Sequence, residues 1–277
     1  MEIWHRVSIA GKDAGYWQSR GLKMKPILSA LDAEGRPKSW IAEISESDSR
    51  WEDLKACIHG LDFVNTFFTD EERLAAEWCT LRGVGGLKPA EPVGGNWSSH
   101  YYQGRCPVCG SGWTQIAPFH LATEPQVGRS TFASFASAAY QLFASREVFE
   151  AFQMEGIRGA DSWPILVGKE KHPAESVKQL LVEGVAAPAL DGELLEHEHY
   201  RESDCPGCGR HWHLFYTRGM LPLRRSALMP NVDLLMTHEW FGSGKAARRE
   251  ILVSRRVVRV ILANKWRGAE LSPVHTV

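Results

Sequence analysis

Three things are scarce in this chain of 277 residues: net charge, long apolar runs and cysteine, of which there are six. No stretch approaches the roughly 18 consecutive apolar residues of a membrane helix. The start, Met1 to Gly11, has no apolar run of signal-peptide length. The expected location is therefore the cytoplasm, where thiols stay reduced unless they hold a metal or do redox work. No Ser/His/Asp grouping or carboxylate pair stands at a usable spacing, and no enzyme is expected. Gly242-Ser243-Gly244-Lys245 resembles part of a phosphate loop, but it lacks the opening glycine and a Ser or Thr after the lysine. It reads as a turn leading into a helix.

What is present is a soluble globular composition, 44% hydrophobic and 23% charged. A chain this long can bury a sizeable core without disulfides or metal. The net charge of −1 hides a split. Residues 1–209 carry 20 basic and 29 acidic side chains (−9), and residues 210–277 carry 12 and 4 (+8). The basic end could be an electrostatic footprint for nucleic acid, or it could pack against the acidic remainder of the same chain. The acidic clusters, residues 43–53 and 191–204, could equally meet a basic protein partner.

Four cysteines fall in two matching blocks, Cys106-Pro-Val-Cys109-Gly110 and Cys205-Pro-Gly-Cys208-Gly209, with Trp113 and Trp212 following at the same offset of 99. Downstream, Ser145-Arg146-Glu147-Val148 recurs as Ser254-Arg255-Arg256-Val257, and Arg158-Gly159-Ala160-Asp161 recurs as Arg267-Gly268-Ala269-Glu270, at an offset of 109. Seven of the 21 positions from Ser145 to Ile165 equal their partners. Two collinear matches indicate two copies of one unit, about 96–170 and 195–277, preceded by a region 1–95 of unassigned role.

Local patterns give an α+β chain. Ser49-x-x-Glu52 opens a helix with Trp51, Leu54 and Ile58 on one stripe, ending at Gly60; Thr69-x-x-Glu72 opens another with Leu74, Trp78 and Leu81, ending at Gly83. Ser145 and Ser254 stand as N-caps of equivalent helices, with Gly156 and Gly268 as stops. Residues 163–167, 212–216 and 251–253 read as strands, 131–144 as helix or strand, and 83–95 as a loop. The arrangement expected is an N-terminal α/β extension followed by the duplicated unit.

A Cys-x-x-Cys turn places two sulfurs on one side of a tight loop. A glycine just after it permits the left-handed backbone that aims amide hydrogens at the thiolates. Two such knuckles supply four thiolates, which suits Zn²⁺. The separation of Cys109 from Cys205 exceeds that of a compact ribbon, and the duplication accounts for it: two copies facing across a pseudo-twofold axis share one zinc held by Cys106, Cys109, Cys205 and Cys208. Such a closed site is structural. Redox-active dithiols and knuckles that have lost their metal are the alternatives; proline directly after the first cysteine suits a knuckle better than a thioredoxin-type turn. His211 and His213 follow the second knuckle, but their repeat partners Gly112 and Thr114 are not ligands, so they read as a strand-facing polar pair. His197 and His199 read as part of a solvated acidic loop, and Cys57 and Cys79 as small core residues.

The tandem Cys-Pro-x-Cys-Gly blocks, with the ending Ser254-Arg255…Arg267-Gly268-Ala269-Glu270-Leu271-Ser272-Pro273-Val274, resemble the double-CxxCG motif proteins of myxobacteria and their relatives, from about residue 96 to the C-terminus. That family is regarded as immunity proteins of swarming-inhibition and other polymorphic toxin systems. The resemblance implies a non-enzymatic protein that binds and neutralises a cognate bacterial toxin, and it carries over the four cysteines as metal ligands. The alternative is a zinc-ribbon nucleic-acid binder using the Arg-rich C-terminal unit. Oligomeric state is not legible.

Overall fold

In the computed structural model the chain forms two compact units, residues 1–69 with 217–219 and residues 70–216 with 220–277. The structure describes all residues but 90, 96–98, 136–137 and 195–201, and of 59, 138–140, 194, 202 and 203 the backbone alone. The seam thus falls at residues 69 and 70, and residues 70–95 belong with the second unit. No helix among the described residues is long and apolar enough to cross a membrane.

The first unit holds β1 (Glu2–Ala10), α1 (Gly11–Ser19), β2 (Met24–Pro26), β3 (Ser39–Ser45), α2 (Trp51–Lys55) and β4 (Ile58–Phe67). The strands form one sheet, β2-β3-β1-β4, antiparallel at every pairing, so this unit is α+β rather than the α/β extension expected. Helix α2 starts one residue later than the Ser49-x-x-Glu52 box indicates, with Arg50 and not Ser49 at the N-cap; it buries Trp51 and Leu54 but stops at Lys55. Ile58 is drawn instead into β4, opposite Ile9. One sheet face closes on Val7, Ile9, Trp17, Ala42, Ile44, Trp51 and Leu54. His5, 2% exposed, is stacked on Trp51 and lies between two carboxylates, Asp62 at Nδ1 (2.8 Å) and Glu46 at Nε2 (2.7 Å). Arg218 pairs with Glu46 and supplies counter-charge there. Thr66 Oγ1 donates to Thr217 O and accepts from Gly219 N–H, both at 2.8 Å, which fixes residues 217–219 to this unit.

The second unit contains two five-stranded sheets. One is β8 (His120–Leu121), β11 (Asp161–Val167), β12 (His172–Leu181), β10 (Ala138–Ser145) and β9 (Phe132–Phe135), in that order. The other is β15 (Leu221–Leu223), β19 (Ala269–Thr276), β5 (Trp78–Gly83), β18 (Ile251–Ser254) and β16 (Leu234–Met236). The registers coincide at the offsets of the sequence. In the first sheet Phe143 and Trp163 both oppose Gln179; in the second, Leu252 and Ser272, each 109 residues later, both oppose Thr80, 99 residues earlier. Helix α4 (Arg146–Met154) follows β10 and α5 (Arg255–Ala263) follows β18. Their stripes, Val148 and Phe152, and Val257, Val258 and Ile261, pack into one core between the sheets with Cys79, Leu81, Phe132, Leu180, Leu234 and Val253.

Several expectations are corrected here. Residues 78–83 are not helix. After the short α3 (Asp70–Ala75) they form β5, buried on both faces as the middle strand: Cys79 and Leu81 face the shared core, and Trp78 faces a separate cluster with Leu223, Leu235 and Leu252. A strand covered on both sides reads as a continuous apolar run, within which a helical spacing can be picked out by chance. Residues 131–144 are strand where described, apart from the turn-forming start. Ser145 and Ser254 occupy the N-cap positions but do not cap with their side chains. Their hydroxyls bond Glu147 (3.1 Å) and Asp233 (2.7 Å). The left-handed stop of α5 is Lys265 (φ 52), at the position of Gly156 (φ 61), and not Gly268.

Candidate metal centre

Each knuckle joins two short antiparallel strands. β6 (Tyr102–Gln103) pairs with β7 (Thr114–Gln115) around the first, and β13 (Glu202–Asp204) with β14 (His211–His213) around the second. Within the first turn Cys106 N–H donates to Ser111 O and Gly110 N–H to Cys106 O, both at 2.9 Å. Within the second, Cys205 N–H donates to Arg210 O (3.0 Å) and Gly209 N–H to Cys205 O (2.9 Å). The four bonds are the same two bonds moved by 99 residues. Gly110 and Gly209 take φ of 75° and 66°, the left-handed backbone that makes the glycine after the second cysteine necessary.

The two turns bring Cys106, Cys109, Cys205 and Cys208 together, with all four sulfurs within 4.8 Å of one another. Cys106 and Cys205 form a buried inner pair, Sγ to Sγ 3.8 Å; Cys109 and the exposed Cys208 form an outer pair at 3.9 Å. Tetrahedral thiolates about 2.3 Å from a central ion would lie about 3.8 Å apart. The cluster therefore has the size of a four-thiolate metal site.

The thiols differ in acidity. Burial opposes ionisation of Cys109, but the Ser111 hydroxyl and amide hold it down, to about 6. The Arg210 amide favours the Cys208 thiolate, yet loss of solvent and then the other three sulfurs push it up to about 11. Cys106 is lowered, chiefly by the Cys109 amide. Four sulfurs this close cannot all carry charge unless a cation joins them.

A polar bridge crosses the cluster. Arg210 Nη1 donates to Cys208 Sγ (3.5 Å) and to Ser111 Oγ (3.1 Å), and Ser111 Oγ lies 3.0 Å from Cys109 Sγ. Ser111 is fully buried, and the Arg210 guanidinium stacks 4.5 Å over Trp240. Ser111 and Arg210 stand at the same place in the two knuckles, 99 residues apart. Neither was singled out by sequence; their shared position directly after Cys-x-x-Cys-Gly is the signal that marks them. Groups that orient and neutralise ligands in this way set metal affinity by roughly 10- to 100-fold. Arg210→Met should therefore leave a metal-containing protein that surrenders its metal to a chromophoric chelator at about tenfold lower concentration. Unchanged competition would make the bridge a packing feature only.

The remaining candidates fall outside the cluster. His211 Nδ1 faces Asp204 at 2.7 Å, and His213 is buried against Phe241, where burial lowers its pKa. His197 and His199 lie outside the described residues. Cys57 is half-buried and Cys79 buried, and neither is one of the four clustered cysteines. Gly242–Lys245 leads into a single 3₁₀ turn, Gly244–Ala246 with Ser243 at its N-cap, as expected of a helix-entry turn, and this turn lies against the first knuckle with the Lys245 side chain beside Gly110. Comparison with protein-family models and with curated proteins finds no match for the chain.

Proposed function

We propose that Cys106, Cys109, Cys205 and Cys208 hold one structural Zn²⁺ between two copies of a knuckle-bearing unit, and that the chain is a non-enzymatic binding protein. The observation that carries this reading is the cluster of four cysteine sulfurs with the spacing of a tetrahedral thiolate site. All-sulfur tetrahedral sites suit zinc, and a site with four protein ligands has no open position for substrate or water. Metal analysis of the purified protein should give about one zinc per chain, and a metal-free folded protein would overturn it. The duplication is supported by matching sheet order and register at the sequence offsets.

The partner we infer is a cognate bacterial toxin, neutralised by occlusion in the cytoplasm. The support is the resemblance of the paired knuckles and the Ser-Arg…Arg-Gly ending to the double-CxxCG immunity proteins. Co-expression with the toxic product of the neighbouring gene should restore growth and give a co-purifying complex. Continued toxicity without a complex would remove the immunity reading and leave the zinc site standing.

The nucleic-acid alternative is weakened by where the basic residues point. Arg218, Arg224 and Arg225 pair with Glu46, Asp191 and Glu77 of the acidic part. Arg248 and Arg256 pair with Glu250 and Asp233, Arg255 bonds the Ala76 carbonyl, and Arg210 bridges the knuckles. A footprint for phosphates needs cations free of such partners. Binding to duplex or single-stranded DNA that falls steeply with salt would restore that alternative.

A further inference from the structure

We propose that the second unit is built from a pair of repeats, residues 78–167 and 177–276 (without 217–219, which belong to the first unit), each of which gives its middle strand to the other repeat's sheet. The inference rests on hydrogen-bond register and does not depend on the identity of the metal.

The offset of 99 that relates the knuckles continues upstream of them. Leu81, Gly85 and Pro89 recur as Leu180, Gly184 and Pro188. The backbone bonds recur with them. Ser134 N–H donates to Gly85 O and Met236 N–H to Gly184 O, both at 2.7 Å; Leu87 N–H donates to Ser134 O (3.0 Å) and Ala186 N–H to Met236 O (2.9 Å). A constant offset from Trp78 and Val177 to Trp113 and Trp212 assigns β5 to the repeat of Cys106 and β12 to the repeat of Cys205.

Yet β5 lies between β18 and β19 of the second repeat, and β12 lies between β10 and β11 of the first. Each chain segment therefore leaves its own repeat at the strand and returns to it within two residues. The crossings are at Gly83–Gly85 and at residues 182–184. The outer cores repeat the pattern: Trp78 packs with Leu223, Leu235, Leu252 and Val274, and Val177 with Leu121, Ala133, Phe143 and Ile165.

A second reciprocal link is built into the Arg-Gly-Ala motif. Arg158 O of the first repeat accepts from Asp233 and Leu234 N–H of the second (2.8 and 3.1 Å). Arg267 O of the second accepts from Thr131 and Phe132 N–H of the first (2.8 and 2.9 Å). The knuckles form the third link. The repeats are thus a strand-exchanged dimer fused into one chain, with neither sheet complete within one repeat. Of the three links, the sulfur cluster is the one that a chelator opens, so metal loss loosens the knuckle end while the exchanged strands keep the repeats joined.

The exchange is tested by a native thiol. Cys79 on β5 stands opposite Val253. Were each middle strand in its own repeat, Cys79 would stand opposite Ala144, the residue equivalent to Val253. Facing residues on antiparallel strands, about 4.5–5.5 Å apart at Cα, can be bridged by a disulfide. In the full chain, oxidised with diamide and mapped by peptide mass, Val253→Cys should bridge residue 253 to residue 79, and Ala144→Cys should give no bridge to residue 79. A bridge from 144 to 79, or none from either variant, overturns the exchange. Independently, a site-specific protease sequence placed in the turn at residues 168–171 allows the purified chain to be cut between the repeats. The two pieces should elute together at full mass, with or without chelator. Separation on adding chelator would show that the metal alone holds them.

Discussion

Cys205→Ser should drop the metal from about one per chain to almost none and lower the melting temperature of the second unit sharply, loosening its knuckle end while its strand core still unfolds as a unit. Cys205 is 1% exposed, and its Sγ is half of the inner sulfur pair. It also accepts from the Gly207 amide at 3.3 Å. Serine retains the shape but is a poor ligand, so three sulfurs would remain in a cluster built for four. A structural zinc contributes apparent binding energy on the order of 10 kcal/mol, which is folding energy when the unfolded chain has no site. Native domains have only about 5–15 kcal/mol in hand. Losing the ion therefore removes most of what holds the knuckle end. Metal analysis after gel filtration and thermal unfolding followed by circular dichroism would check this. Cys57→Ser, outside the cluster, should keep both the metal and the transition. Retained metal in Cys205→Ser would mean that the four sulfurs do not act as one site.

How much of this was legible depends on how far apart the determinants lie in the chain. The knuckles were legible because Cys-x-x-Cys-Gly fixes its own geometry within five residues. Their meeting was legible only through the repeat, since nothing in the 95 residues between Cys109 and Cys205 indicates a return. The helices α4 and α5 were placed correctly because a 3.6-residue stripe is a local pattern. Strand β5 was not, because its partners are β18 and β19, some 170–190 residues away, and burial of both faces removes the alternation that identifies a strand. The extension of the offset upstream to Trp78, which we propose above, was not legible for a related reason. Between Trp78 and the first knuckle six scattered positions keep their identity at this offset, Leu81, Gly85, Pro89, Ala90, His100 and Tyr101, and the hydrogen bonds of Gly85 and Leu87 are what align the segment with residues 177–204. The basic end was visible as charge, but its pairing with Glu46, Glu77 and Asp191 is a tertiary fact.

The Arg-Gly-Ala motif gives a second large effect, and one in which two physical causes can be separated. Gly159 and Gly268 both have positive φ, 91° and 84°. A Cβ on Gly159 would fall on the Leu234 carbonyl oxygen, and one on Gly268 on the Phe132 carbonyl oxygen, in each case a backbone atom that cannot swing aside. Gly156 also has positive φ, 61°, but a Cβ there meets nothing within 4 Å. Torsion alone costs an L-residue about 1–2 kcal/mol in this region. The close approach adds displacement of the strand whose amides the Arg158 and Arg267 carbonyls accept. Gly156→Ala should therefore lower stability by about 1 kcal/mol, and Gly159→Ala and Gly268→Ala by more than about 3 kcal/mol each. Lys265→Gly should raise it slightly, because Lys265 holds the position of Gly156 with a φ of 52°. Urea unfolding of the four variants ranks them directly. Equal losses at all three glycines would mean that torsion explains the motif. A steep excess at 159 and 268 would mean that the motif is kept small so that each repeat's turn can reach the other's strand.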